Sequence, residues 1–292
     1  MMKRRFAAMA AAGAAAALVL TGCAGGGGGD NGDQPWTVAE DVTIEGSATF
    51  EAMQSAGQIV IGVKEDQPGL GYLDAATGER TGFDVDIARW MAAELGFGED
   101  QIEFKAIPSA NREQELVNGN IDMYVGTYSI TDSRKEQIDF AGPYAITGQG
   151  LLVAADNDSI NGPDDLAGTN VCSATGSTPI QNIRENYPEA KIQEFDTYSQ
   201  CVAKIEDGSA DAVTTDALIL LGYAAQSPDT LKTVGDTFSE EIYGIGVPKG
   251  DDAFRDFLNT ALEEGGETWT AIWDANLGET GVEGEQPAVD RY

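Results

Sequence analysis

Apolar and polar residues alternate between two periods along most of this chain. Ile59-Val60-Ile61-Gly62-Val63 is a short β-branched run that reads as a buried strand. Apolar residues at 83, 87, 90, 91 and 95 then trace a helical stripe closed by Gly96. Strand 102–104, helix 111–118 (stopped at Gly119), strand 121–125 and a loop over 127–134 follow. The same grammar returns with strands at 151–153 and 170–172 and a helix over 179–187 that has Pro179 in its first turn. After it come helix 199–207, strand 210–213, helix 217–226, strand 242–247 and helix 252–265. Strand and helix alternate, so the expected class is α/β with mostly parallel sheets. Asn118-Gly119-Asn120-Ile121-Asp122 and Asp207-Gly208-Ser209-Ala210-Asp211 parallel one another, which points to two lobes of similar plan facing across a cleft.

The first residues read as a targeting segment. Lys3, Arg4 and Arg5 precede an apolar stretch of about fifteen residues, too short to span a bilayer, that ends in Leu20-Thr21-Gly22-Cys23. That ending is a lipobox, in which the Cys23 thiol takes a diacylglycerol. The expected organisation is a signal peptide over 1–22 and a flexible Gly/Asp-rich linker over 23–49 that contains the run Gly25–Gly29. The lipid would hold the exported body at the outer face of the cytoplasmic membrane.

Charge and composition remove several function classes. Taking Lys3, Arg4 and Arg5 from the 17 basic residues leaves 14 against 49 acidic ones, a mature charge of −35. No basic patch for nucleic acid can be assembled from that set. The chain has no His, which excludes Ser-His and Cys-His catalysis and His-ligated zinc, and no P-loop, GxSxG or Cys-x-x-Cys motif occurs. Neither a metal, a cofactor nor an enzymatic activity is expected. With Cys23 lipidated, Cys172 and Cys201 remain; export permits a disulfide, and two buried free thiols are the alternative.

A few residues carry candidate chemistry. Arg134, seven positions after Thr127 and five after Ser129, could grip a carboxylate with two parallel hydrogen bonds. It could equally pair at the surface with Asp132 or Glu136. Ser173-Ala174-Thr175-Gly176-Ser177-Thr178 places hydroxyls and free N–H groups at a helix N-terminus, where anions bind, although capping by Ser177 or Thr178 accounts for the same residues. Asp216 at a strand end suits an ammonium group or a helix cap. Lys64 and Arg112 are scarce cations in an acidic chain, and solvated charge is the plain alternative.

Several motifs resemble a known family. They are Gly82-Phe83-Asp84-Val85-Asp86-Ile87-Ala88, Asn118-Gly119-Asn120-Ile121-Asp122, and Ser129-Ile130-Thr131 with Arg134. In order and spacing, from about residue 59 to 277, they look like the polar amino-acid family of ABC-transporter solute-binding proteins. Gly62-Val63-Lys64, Gln67-Pro68-Gly69-Leu70-Gly71, Gly176-Ser177-Thr178-Pro179, Thr214-Thr215-Asp216-Ala217 and Tyr243-Gly244-Ile245-Gly246 are similar to the lipid-anchored glutamate binders of that family. The resemblance implies a two-lobed periplasmic-binding-protein-like fold with two hinge strands. Lobe 1 would be 50–148 plus 246–292, and lobe 2 would be 149–245. Arg134, Thr127 and Ser129 would hold an α-carboxylate with help from Thr178, and Asp216 the α-ammonium. Lys64 and Arg112 would face a side-chain carboxylate, with Tyr243 beside the ligand and Cys172 paired with Cys201. The implied function is glutamate or aspartate capture by a monomer that delivers to ABC permease subunits. Glutamine binding is the rival within the family; a dehydratase or a sensor on the same fold are rivals outside it.

Overall fold

A computed structural model describes residues 34–292. The expected signal peptide and the lipidated Cys23 lie outside the described residues. Within the stretch expected as linker, Trp36, Val42 and Ile44 pack against the core, and the Ala39 N–H bonds the Ala93 carbonyl at 2.9 Å.

Helix α1 (Ala48–Ala56), capped by the Ser47 hydroxyl, leads into β1 (Ile59–Val63). A small antiparallel sheet follows, made of β2 (Asp66–Gln67), β3 (Gly71–Leu73) and β4 (Arg80–Thr81). Then come α2 (Phe83–Glu94), β5 (Ile102–Ala106), α3 (Arg112–Val117), β6 (Met123–Tyr124), α4 (Asp132–Lys135) and β7 (Asp139–Thr147). The chain next runs through β8 (Gln149–Ala154), β9 (Asn170–Ala174), α5 (Thr178–Asn186) and β10 (Lys191–Phe195). Helix α6 (Tyr198–Glu206), β11 (Ala212–Asp216), α7 (Ala217–Gln226) and β12 (Leu231–Val234) complete this half. It returns on β13 (Glu241–Val247) and ends with α8 (Asp252–Glu264) and α9 (Gly266–Leu277).

The strands form two five-stranded sheets of the same design, ordered β5-β1-β6-β13-β7 and β10-β9-β11-β8-β12. In each, three mutually parallel strands are followed by one that runs the opposite way (β13, β8) and by an outer strand (β7, β12) paired antiparallel to it. The parallel character expected from the alternation therefore holds for three strands of each sheet. The departure comes from the crossings. Only Gly148 separates β7 in the first sheet from β8 in the second, and β13 returns beside β7 running the other way. The crossings touch: a Cβ at Gly148 would stand 2.5 Å from the Ser239 carbonyl oxygen on the returning segment, so glycine is required there.

The first lobe buries an aromatic cluster in which Phe83 packs edge-on against Trp269 and Trp273. In the second, a disulfide joins Cys172 on β9 to Cys201 on α6, with Cα atoms 5.4 Å apart. The C-terminal segment lies back on the first lobe: Tyr292 Oη accepts from the Phe140 N–H at 2.8 Å, and the Asp290 N–H donates to the Gly142 carbonyl at 2.9 Å. Among the described residues, no helix is long and apolar enough to cross a membrane. Parallel strands β1, β6, β9 and β11 end at Val63, Tyr124, Ala174 and Asp216, shortly before Lys64, Thr127 and Thr178 and at Asp216 itself, so both sheets aim their carboxyl ends at one place.

Candidate functional site

Between the two sheets, three cations are buried together. Lys64, Arg112 and Arg134 are 5%, 2% and 7% exposed, in a protein with a large excess of acid. Burying a charge is costly unless partners are supplied, so each cation's partners are informative.

Arg134 sits on α4, whose N-cap Thr131 accepts from the Arg134 N–H. Its guanidinium does not pair with Asp132 or Glu136. Nε reaches Glu113 Oε1 at 3.1 Å, Nη1 the Ser129 carbonyl at 2.6 Å and Nη2 the Gly176 carbonyl at 3.0 Å. The last bond links the two lobes. A guanidinium has five N–H donors, so one on Nη1 and one on Nη2 remain beyond these contacts among the described residues. That pair has the spacing a carboxylate needs.

Arg112 opens α3. Its Nε donates to the Ser109 carbonyl at 3.1 Å and Nη1 to the Thr127 carbonyl at 3.3 Å, while the guanidinium lies 4.2 Å from the centre of the Tyr128 ring. Lys64 follows β1, and its Nζ donates to Ser109 Oγ at 2.7 Å. Neither cation has a carboxylate within 4 Å among the described residues, whereas Arg134 beside them has Glu113 at 3.1 Å. Burial, and then the Arg112 guanidinium, pull the Lys64 ammonium down to about 7. A pocket of about 110 Å³, lined in part by Lys64, Asp66, Ile107, Pro108 and Thr197, opens beside this end of the site.

Thr127 has φ +47, a left-handed conformation rare for a β-branched residue. Asp84 on α2 holds it there by accepting the Thr127 N–H at 2.9 Å, and Asp84 itself accepts from Tyr144 Oη at 2.9 Å. Burial pushes the Asp84 carboxyl up to about 6 against those two hydrogen bonds. Thr127 Oγ1 donates to Gln67 Oε1 at 3.2 Å.

From the second lobe, Ser177 caps α5 by accepting the Ile180 N–H. That leaves Thr178 free of the capping role, and its hydroxyl crosses to Ser129 Oγ at 3.2 Å. Asp216 stands at the N-cap of α7 yet makes no side-chain cap bond. Its Oδ2 instead accepts from Tyr243 Oη at 2.6 Å, and its Oδ1 is buried with no partner among the described residues. Burial, and the nearby Glu241 carboxylate, raise the Asp216 carboxyl well above its ordinary range. Gln67 Nε2, Tyr128 Oη and Thr215 Oγ1 are also buried without partners among the described residues. Such orphans are few in folded proteins and mark places built to meet a polar group.

The structure thus brings Lys64, Arg112, Thr127, Ser129, Arg134, Thr178, Asp216 and Tyr243 into one interlobe cleft. The family model for bacterial extracellular solute-binding proteins, family 3, matches residues 59–273. The chain belongs to this family. A glutamate-binding protein, GluB, of Corynebacterium efficiens is 42% identical over 229 residues, covering 75% of this chain and 78% of that one. A glutamine-binding protein of Geobacillus stearothermophilus is 40% identical over 208 residues, covering 71% and 79%. Among solved structures, a solute receptor for L-cysteine of Neisseria gonorrhoeae superposes with a TM-score of 0.76 at 28% identity, over 83% of this chain and 99% of that one.

Three residues of this solute-binding protein's site escaped the sequence reading. Asp84 and Gln67 lay inside the quoted family motifs but looked like ordinary helix and loop residues. Glu241 had no signal at all, being one acid among 49. It is 4% exposed, and its Oε2 accepts from the Ser129 and Thr178 hydroxyls, the latter at 2.7 Å.

Proposed function

We propose that this chain is the substrate-binding lipoprotein of an ABC importer, anchored through Cys23 at the outer face of the cytoplasmic membrane, and that it captures glutamate, or aspartate, between its lobes for delivery to the permease. The observation that carries the reading is the burial of Lys64 and Arg112 in the cleft without a carboxylate partner among the described residues. A ligand carboxylate supplies what their burial demands. Arg134 and the loop from Thr127 to Ser129, through the Ser129 main-chain N–H, with the Thr178 N–H opposite, take the α-carboxylate, while the Ser129 and Thr178 hydroxyls point to Glu241. Asp216, held by Tyr243, takes the α-ammonium with its free Oδ1. The lobes divide at 148 and 245, so that 50–148 with 246–292 and 149–245 close on the ligand as a monomer. Contacts from both lobes favour the closed state, and the ligand's differential affinity drives closure. The site is a binding site, with no residue assigned to catalysis.

Glutamine is the second reading. The glutamine-binding relative, at an identity close to that of the glutamate binder, supports it. Calorimetric titration with glutamate, aspartate, glutamine and 4-aminobutyrate separates the two. Tight glutamate with weak glutamine and no 4-aminobutyrate is expected. Tight glutamine would return Lys64 and Arg112 to a structural role, and absence of binding by all four would overturn the amino-acid reading.

A further inference from the structure

Glu241 is the first residue of β13, the strand that returns from the second lobe to the first. Its carboxylate touches groups on both sides of the cleft. Oε2 accepts from Ser129 Oγ of the first lobe and from Thr178 Oγ1 of the second, and Oε1 accepts from Ser239 Oγ at 3.2 Å. Ser129 and Thr178 are themselves 3.2 Å apart, so the three groups form a closed triangle across the hinge.

A hydroxyl has one proton to donate and two lone pairs, and a carboxylate only accepts. With both protons directed at Glu241, the Ser129 and Thr178 hydroxyls have lone pairs left for a ligand. Lone pairs accept from an ammonium and repel a carboxylate. The Asp216 carboxylate lies in the same field of negative charge. The subsite so formed reads a cation, while Arg134 retains free N–H groups for an anion.

We propose that Glu241 is a positioning residue that fixes the Ser129 and Thr178 hydroxyls as hydrogen-bond acceptors, and thereby makes the cleft require an α-ammonium on its ligand. This rests on the amino-acid reading above. Glu241 acts through the two hydroxyls, coupling ligand selection to the hinge strand. An isosteric amide at 241 can donate as well as accept, so it releases the hydroxyl protons toward the ligand.

The test is calorimetry on the full mature chain with glutamate and with glutarate, which has the same two carboxylates and no ammonium. Hydrogen bonds to charged groups are worth enough that Glu241→Gln is expected to weaken glutamate by about tenfold or more. Glutarate is expected to be unchanged or tighter. In a chain that already carries Ser129→Ala and Thr178→Val, adding Glu241→Gln is expected to change glutamate affinity by less than about twofold, because coupled groups do not add. Equal losses for both ligands, or independent additive losses in the cycle, would overturn the proposal. Should Glu241→Gln fail to fold, Ser129→Ala and Thr178→Val in the native Glu241 background decide: selective loss of glutamate supports it, equal loss of both ligands refutes it. A wild-type chain that binds no amino acid fails the functional reading itself, an outcome distinct from any of these.

Discussion

The Tyr223 hydroxyl on α7 donates to both the main-chain carbonyl of Asp66 and its side-chain Oδ2, the latter at 3.2 Å, joining the second lobe to the small sheet of the first. Asp66 Oδ2 also accepts the Ser199 N–H at the start of α6 at 3.1 Å. Next to this contact, Gly222 lies so close to Pro68 that a Cβ would stand 2.1 Å from its carbonyl oxygen. These contacts exist only when the lobes are together. Gly222→Ala is therefore expected to obstruct closure and speed ligand dissociation by about tenfold or more, a cost in the range of overpacking. Tyr223→Phe, which removes hydrogen bonds and keeps the ring, is expected to speed it by only a few-fold. Stopped-flow displacement measures both, and an unchanged rate in Gly222→Ala would show that the lobes need not meet here.

That latch was invisible in the sequence, and the reason is general to this chain. Strand β1 and helices α2, α5, α6 and α7 follow local periodicity and appear within a residue or two of the expected limits. Strand β7 was missed because Gly142-Pro143 lies in its middle and Pro argues against a strand. Helix α9 was missed because its start, Gly265-Gly266, reads as a break after α8. At the site, Arg134 and Asp216 each had a local explanation, a surface ion pair or a cap, and only the fold shows that neither is used. Glu241 acts at contacts 112 and 63 positions away, beyond any periodic signal.

The cations at the two ends of the site predict different selectivity. With Arg134 proposed to hold the α-carboxylate that every amino acid carries, Arg134→Ala is expected to abolish binding of glutamate and glutamine alike. In the proposed pose, Lys64→Met with Arg112→Met removes charge only at the end where the ligand side chains differ. Losing two buried charge-assisted contacts is expected to weaken glutamate by about a hundredfold or more and glutamine by only a few-fold. Parallel titrations check this, and equal losses would refute the side-chain role.

The disulfide predicts where stability resides. Cys172 and Cys201 are separated by 29 positions and join β9 to α6. Closing a loop of this length stabilises by about 3–4 kcal/mol in the chain-entropy account. Cys172→Ala with Cys201→Ala is expected to lower the second lobe's unfolding temperature by several degrees and to leave glutamate affinity in the folded protein within a few-fold. Calorimetric unfolding with and without ligand distinguishes the two effects; an unchanged melting temperature would show that packing of β9 on α6 suffices alone.

Proton uptake offers a direct reading of what Lys64 faces. Burial and Arg112 bring its ammonium down to about 7, so at pH 8 it is mostly neutral. A glutamate side-chain carboxylate placed beside it favours the charged form and raises that value in the complex. The complex then binds more protons than the free protein between about 7 and the raised value. Glutamate affinity is therefore expected to be flat below pH 7 and to fall as pH rises through that window, with uptake approaching one proton per ligand. Glutamine, neutral at that end, is expected to take up almost none. Titrations at pH 8 in two buffers of different ionisation enthalpy give the proton count. Uptake that is the same for both ligands, or that survives Lys64→Met, would place the side-chain carboxylate elsewhere in the cleft.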